Sequence, residues 1–290
     1  MTQISRLHDR MHAAMGIEGL EIPAAYVKLY RHTETLPEIL TQYFPIEETV
    51  TSCQALRHAS QGHPVLLSLE NIGCIAAAIT LGLIDQYSDA SLVRPPRLYT
   101  NIMQEQSGLE DAFSPPSPKE FTNGRVYACK HARKPEYCLF GPEDSGRFKD
   151  VDTAREAVEQ MAAIQPPSMK HVFFFHSNFE DADIEPDVVV LDVRPVELTK
   201  IIQSFQFMTG KRIQASMGAL RGVPSDLIAR PYLNQEINVS TYCLGARILA
   251  GFEGDRLGIG IPYPQFDLVV SGMEQSQTGY PFHRYPGASG

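Results

Sequence analysis

One phrase is written twice in this chain. NIGCIAAAITLGL begins at Asn71 and YCLGARILAGF begins at Tyr242. In each, a cysteine (Cys74 or Cys243) leads a run of small apolar residues closed by Gly82 or Gly251. Two earlier echoes precede it in the same order. Pro23, Val27, Arg31 and Glu34 align with Pro186, Val190, Arg194 and Glu197, and Ala55-Leu56-Arg57 aligns with Ala219-Leu220-Arg221. The shared order predicts a duplicated chain, the alternative being the common Val, Ala and Gly vocabulary of α/β proteins. Each half reads as strand–helix–loop–strand–helix and cannot bury its apolar face alone. The expected fold is therefore α/β: two related α/β halves packed about a pseudo-twofold axis, with an inserted middle segment. The expected boundaries are 1–88 for the first half, 89–169 for an irregular insertion, hairpin and helix, 170–273 for the second half, and 274–290 for an extended tail.

The local signals fill in this plan. Ile4, Leu7, Met11 and Met15 fall at helical spacing, which predicts an amphipathic first helix. TLPEILTQYF and VELTKIIQSFQFM read as the helices after the two Pro-led strands. KHVFFFHS, from Lys170, has the aromatic density of a buried strand. NGRVYACKHARKPEYCLFG reads as a hairpin bent at Asn123-Gly124 and Pro135. DVDTAREAVEQMAAI reads as a helix with a Thr153–Glu156 capping box, stopped by Pro166-Pro167.

Composition removes several function classes. The net charge of -9 repels nucleic-acid backbones and anionic membranes, and no basic patch offsets it. No apolar run is long enough to span a bilayer, and the N-terminus lacks the pattern of a signal peptide, so a cytoplasmic location is expected. In that compartment the five cysteines, Cys53, Cys74, Cys129, Cys138 and Cys243, are not expected to form structural disulfides. CxxC, GxGxxG, P-loop, HExxH and GxSxG motifs are all absent.

SCQALRHAS, ENIGCIAAAITLGL, PDVVVLDVRPVELTKII, NVSTYCLGARI and LGIGIPYPQFDLVV together resemble the uncharacterised ArCR family, domain of unknown function 169. The resemblance runs from about Ile22 to Met273, and its most specific parts are the cysteine phrases and Gly260-Ile261-Pro262. It supplies no catalytic list, but it directs attention to Cys53, Cys74 and Cys243. It also implies a further cysteine near RGVPSDLIARP, where this chain has none.

Each of these three cysteines reads as lying at a helix start. Thr51 with Gln54 fits a capping box ahead of Cys53, Asn71 is placed to cap the helix of Cys74, and Ser240 or Thr241 that of Cys243. A thiol at the positive end of a helix has its thiolate favoured. The leading expectation is thus a cleft between the halves in which Cys53, Cys74 and Cys243 hold an iron–sulfur cluster or another thiophilic metal for a redox task. The alternative is a non-metal small-molecule binding protein or a thiol-dependent enzyme. A third class, an interaction module using a sheet edge or the tail, predicts a large apolar patch. Arg31, Arg57, Arg194 and Arg221 are candidate ligand-binding residues, because a guanidinium grips carboxylate or phosphate as a fork; the competing reading is structural ion pairs. The expected partner is a small molecule, with neither nucleic acid nor membrane, and a homo-oligomer is compatible with the sequence.

Overall fold

The computed structural model describes residues 2–15, 20, 22–45, 49–85, 92–94, 151–165, 168–179 and 184–276. The hairpin reading over 123–141, with Cys129 and Cys138, lies outside them, as does the chain beyond 276. In chain order the elements are α1 (Gln3–Met15), β1 (Ala25–Arg31), a 3-10 helix (Glu38–Tyr43), α2 (Ser52–Ser60), β2 (Val65–Leu67), α3 (Ile75–Thr80), α4 (Val151–Glu159) and β3 (Met169–His176). There follow β4 (Val188–Val193), α5 (Pro195–Thr209), a π-helix (Gly222–Ala229), α6 (Arg230–Asn234), β5 (Asn238–Ser240), α7 (Leu244–Ala250), β6 (Leu257–Pro262) and α8 (Tyr263–Gln275).

The six strands form one mixed α/β scaffold's central sheet, in the order β2-β3-β1-β4-β6-β5, and every neighbouring pair is antiparallel. The segment from Lys170, expected to open the second half, lies instead between β2 and β1. Alternating side chains of each strand enter two different cores, because the strand period is two. Val27, Leu29, Val172, Phe174, Val188 and Val190 face α2, α3, the π-helix and α7. Tyr26, Phe173, Phe175, Val189 and Leu191 face the side covered by α1, α5 and α8. Both faces are covered, so the strands read as nearly unbroken apolar runs.

Several local expectations meet the structure directly. Ile4, Leu7, Met11 and Met15 of α1 are all buried. Pro195 opens α5 and Gly210, at φ 68, ends it in the left-handed conformation that glycine adopts without strain. Others need correction. TLPEILTQYF forms only the short 3-10 helix, and α4 already begins at Val151, so Thr153 lies inside the helix and not at its cap.

The most demanding packing lies where the π-helix crosses β6. A Cβ added at Gly260 would sit 2.2 Å from the Leu227 carbonyl oxygen, and one at Gly258 would sit 2.4 Å from Leu227 Cδ1. These glycines let the helix backbone rest directly on the strand. Gly222 plays the same part at the other end, since its Cβ would meet Ser240 Oγ at 2.6 Å and Cys243 N at 3.1 Å. The phrase LGIGIP thus positions the π-helix, and through it the turn that carries Cys243.

Candidate functional site

Cys53, Cys74 and Cys243, from distant parts of the chain, belong to or pack against the core on the π-helix side of the sheet. Cys53 lies in the first turn of α2, whose start is fixed by a complete capping box: Gln54 N donates to Thr51 Oγ1 at 3.1 Å, and Thr51 N donates to Gln54 Oε1 at 2.9 Å. Cys74 and Cys243 are themselves the N-cap residues of α3 and α7. Asn71 does not cap α3; it accepts from Ser68 N at 2.7 Å and donates to the Leu66 carbonyl at 3.1 Å, tying down the loop before the helix. Ser240 does not cap α7 either; its Oγ accepts from Tyr242 N at 3.1 Å and shapes the turn into Cys243.

Cys53 and Cys74 both sense Cys243. Cys53 is buried, whereas Cys74 and Cys243 are partly exposed. The neighbouring Cys243 thiol, then burial, hold the Cys53 proton on and push its pKa well up. Burial also raises Cys74, opposed by hydrogen bonds from the backbone of Ala77 and Ala76 and by the Arg221 guanidinium. The expected helix-end activation is therefore outweighed for these two thiols. α3 spans only Ile75–Thr80, so few peptide dipoles add up, while desolvation acts in full.

Two strained residues frame the thiols. Arg221, the N-cap of the π-helix, has φ 55, and Tyr242 has φ 65. Left-handed backbone at bulky residues costs about 1 kcal/mol or more and gathers at functional sites. Arg221 is 8% exposed, its Nη1 is 3.5 Å from Thr80 Oγ1, and burial lowers its pKa to about 10, with charge on Cys74 working the other way. Arg221 does not match Arg57 in space: one precedes the π-helix, and the other lies in the last turn of α2.

Behind Tyr242 stands a buried charged network. The Tyr242 hydroxyl donates to Asp192 Oδ1 at 2.8 Å, and its ring stacks on Phe252 with centroids 4.3 Å apart. Asp192 Oδ2 is 3.2 Å from Arg256 Nε and 3.4 Å from Arg57 Nη1. Arg256 also reaches Glu197 at 3.8 Å, and Glu197 reaches Arg194 at 3.4 Å. Arg194 thus takes the structural role of an ion pair. Arg31 is exposed and donates to the Tyr232 hydroxyl at 3.0 Å. Of the four candidate arginines, only Arg221 reaches the thiol site itself.

Sequence reasoning passed over Asp192, Arg256 and Asp226. Asp226 sits in the π-helix, 5% exposed, with Ser240 Oγ 3.2 Å from its Oδ2. Burial pushes it up to about 7. The signal was present: Asp192 in VVVLDV and Asp226 in GVPSDLIA are single acids in apolar runs, and a charge is buried only when something holds it.

Among the described residues, no group of three or more His, Cys, Asp or Glu side chains is arranged to hold a metal ion. The arrangement gives the iron–sulfur expectation no support. No described helix is long and apolar enough to cross a membrane.

The chain belongs to the uncharacterised ArCR family, DUF169, whose model matches residues 26–272. It is similar to the uncharacterized protein MJ0308 of Methanocaldococcus jannaschii, at 22% identity over 129 residues, which is 44% of this chain and 54% of that relative. The chain thus matches about half the length of this curated relative. No solved structure matches. The RGVPSDLIARP stretch, where the resemblance implies one more cysteine, runs from the N-cap Arg221 through the whole π-helix into α6 and touches the Tyr242–Cys243 turn through Gly222.

Proposed function

We propose that the chain is a thiol-dependent redox protein whose working pair is Cys53 and Cys243. The single observation that carries this reading is the pairing of a buried thiol, Cys53, with a partly exposed one, Cys243, that holds its proton on. Cys243 is the entering group, because it is partly exposed while Cys53 is buried. Its thiolate attacks one sulfur of a substrate disulfide, and the other substrate sulfur leaves as a thiol. Cys53 then gives up its proton and attacks Cys243 in the mixed disulfide, which closes a Cys53–Cys243 disulfide and releases the second substrate thiol. Two electrons pass from the protein to the substrate.

Duplication is part of this proposal. The strand order reads β2-β3-β1 and then β4-β6-β5, which maps onto itself when the halves exchange. Across the central seam Tyr26 pairs with Val189, its own counterpart in the Pro23–Pro186 alignment, while Ala25 pairs with Val190 and Val27 with Val188. Each half also uses the same strand-end device: Arg31 N donates to Glu34 Oε2 at 2.7 Å, and Arg194 N donates to Glu197 Oε2 at 2.5 Å. On this reading β3 belongs with the first half, and the thiols meet where the two halves join. A thiophilic metal centre is the second reading; it rests on the soft-ligand chemistry of thiolates alone, since no group of three ligands is arranged for a metal among the described residues.

The test uses the full chain. Reduced protein is treated with a small disulfide such as oxidised glutathione, and its cysteines are mapped by peptide mass spectrometry. The expected product is a Cys53–Cys243 disulfide, with Cys243→Ser abolishing it and Cys53→Ser trapping a mixed disulfide on Cys243. Absence of both products in folded protein overturns the thiol reading. Stoichiometric iron and sulfide, or zinc, retained on the three thiols after anaerobic purification decides for the metal.

A further inference from the structure

A cleft of about 840 Å³ opens at the end of the sheet where β1 begins and β3 ends, lined among others by His8, His12, Arg57, Gln61, His176 and Asn178. It is separate from the cysteines, and its lining is rich in hydrogen-bond donors.

One of its imidazoles has its tautomer set by a neighbour: His176 Nδ1 accepts from Asn178 N at 3.2 Å, so Nε2 bears the proton. A ring in this state offers an N–H group and no lone pair at Nε2, which makes it a donor to an acceptor and a poor metal ligand. His8 Nδ1 lies 3.4 Å from the Tyr26 hydroxyl, a pair in which either side can donate, and burial lowers the His8 pKa.

Arg57 supplies the charge. It is held from behind, with Nη1 3.4 Å from Asp192 and its guanidinium 5.9 Å from the centre of the Phe252 ring. Asp192 is already engaged by Arg256 at 3.2 Å and by Tyr242 at 2.8 Å, so the positive charge of Arg57 is only partly neutralised. A guanidinium fixed in this way is prepared for the two oxygens of a carboxylate or phosphate. Asp9, on the cleft wall, is the acidic group that works against an anion there.

We infer that this cleft binds a small molecule carrying a carboxylate or phosphate group, anchored by Arg57, with His176 donating from the wall and His8 lining it. The same Arg57 touches Asp192, which accepts from the hydroxyl of Tyr242, the residue before Cys243, so two side chains link Arg57 to the proposed redox pair. The inference stands without the thiol chemistry, because it is read at the imidazoles of reduced protein.

The experiment is an NMR titration of the ¹⁵N-histidine-labelled full chain with inorganic phosphate and, separately, with succinate. Saturable shifts of the His176 Nε2–H and the His8 imidazole signals are expected with at least one anion, and the better anion identifies the headgroup. Arg57→Gln is expected to weaken that binding at least tenfold. Because Arg57→Gln also disturbs Asp192, Gln61→Glu at the exposed rim provides a second variant, expected to weaken binding several-fold with the fold intact. Absence of saturable shifts with both anions, or undiminished binding in the folded variants, overturns the proposal.

Discussion

Arg256, 1% exposed, lies 3.2 Å from the Asp192 carboxylate through Nε and donates through Nη2 to the Asp192 carbonyl at 2.6 Å. A guanidinium so deeply enclosed is tolerated only because its partner is fixed in the neighbouring strand. Removing one member strands the other charge without water. Arg256→Leu is therefore expected to lower stability by about 3–5 kcal/mol in urea denaturation, and replacing Asp192 as well should restore part of the loss. If the double variant is the less stable by the full sum of the two losses, the pair is not coupled as described.

The glycines of β6 make a sharper steric prediction. Gly260→Ala would place Cβ 2.2 Å from the Leu227 carbonyl, so the π-helix must lift off the sheet. A loss of at least about 2–3 kcal/mol is expected, the upper range for overpacking. Gly245→Ala, in α7 with nothing within 4 Å of its added Cβ, is the control, expected to gain about 0.5–1 kcal/mol. Comparable effects at the two positions would mean that the close approach over β6 is not what the glycine serves.

Asp226 ties stability to pH. Its carboxyl rises from an ordinary 3.8 to about 7 in the folded chain, chiefly through burial. Between these values the native state keeps a proton that the unfolded chain has released. The stabilising contribution is complete below about pH 4 and is lost as pH rises to 7, at about 1.4 kcal/mol per unit. Asp226→Asn should flatten this fall and make the variant the more stable protein at pH 8. Parallel stability curves for the two proteins between pH 4 and 8 would show that Asp226 does not carry the dependence.

Tyr242 offers a probe of the turn that presents Cys243. Tyr242→Phe removes the hydroxyl that donates to Asp192 at 2.8 Å while retaining the stack on Phe252. A bond to a charged acceptor is worth about 1.5–3 kcal/mol, and the expected thermal shift is a drop of several degrees. An unchanged melting temperature would place the anchor of this turn elsewhere.

The sequence was most readable where periodicity or a cap governs a single element. The four apolar residues of α1, the aromatic run of β3 and the Thr51–Gln54 box are each specified by neighbours in the chain. Cys74 and Cys243 stand out in the sequence because an odd residue repeated at a helix start is visible in a linear text. The protonation of Cys53 and Cys74 was misjudged: helix ends can be read from sequence, but desolvation is set by what packs above. The π-helix and the pairing of Asp192 with Arg256 were hidden for the same reason. They depend on Gly258 and Gly260 admitting a backbone from elsewhere, and on charges 64 positions apart coming together.

The order of the strands has a consequence for how the chain is made. β1 pairs with β3 and β4, and β2 pairs with β3, so among the described strands neither early one has a ladder partner until Met169 and the residues after it emerge. At ordinary translation speeds the ribosome needs on the order of ten seconds to pass from Arg31 to Met169. During that interval β1, joined later by β2, waits for its described neighbours, and its apolar edges stay open to wrong pairings until β3 arrives.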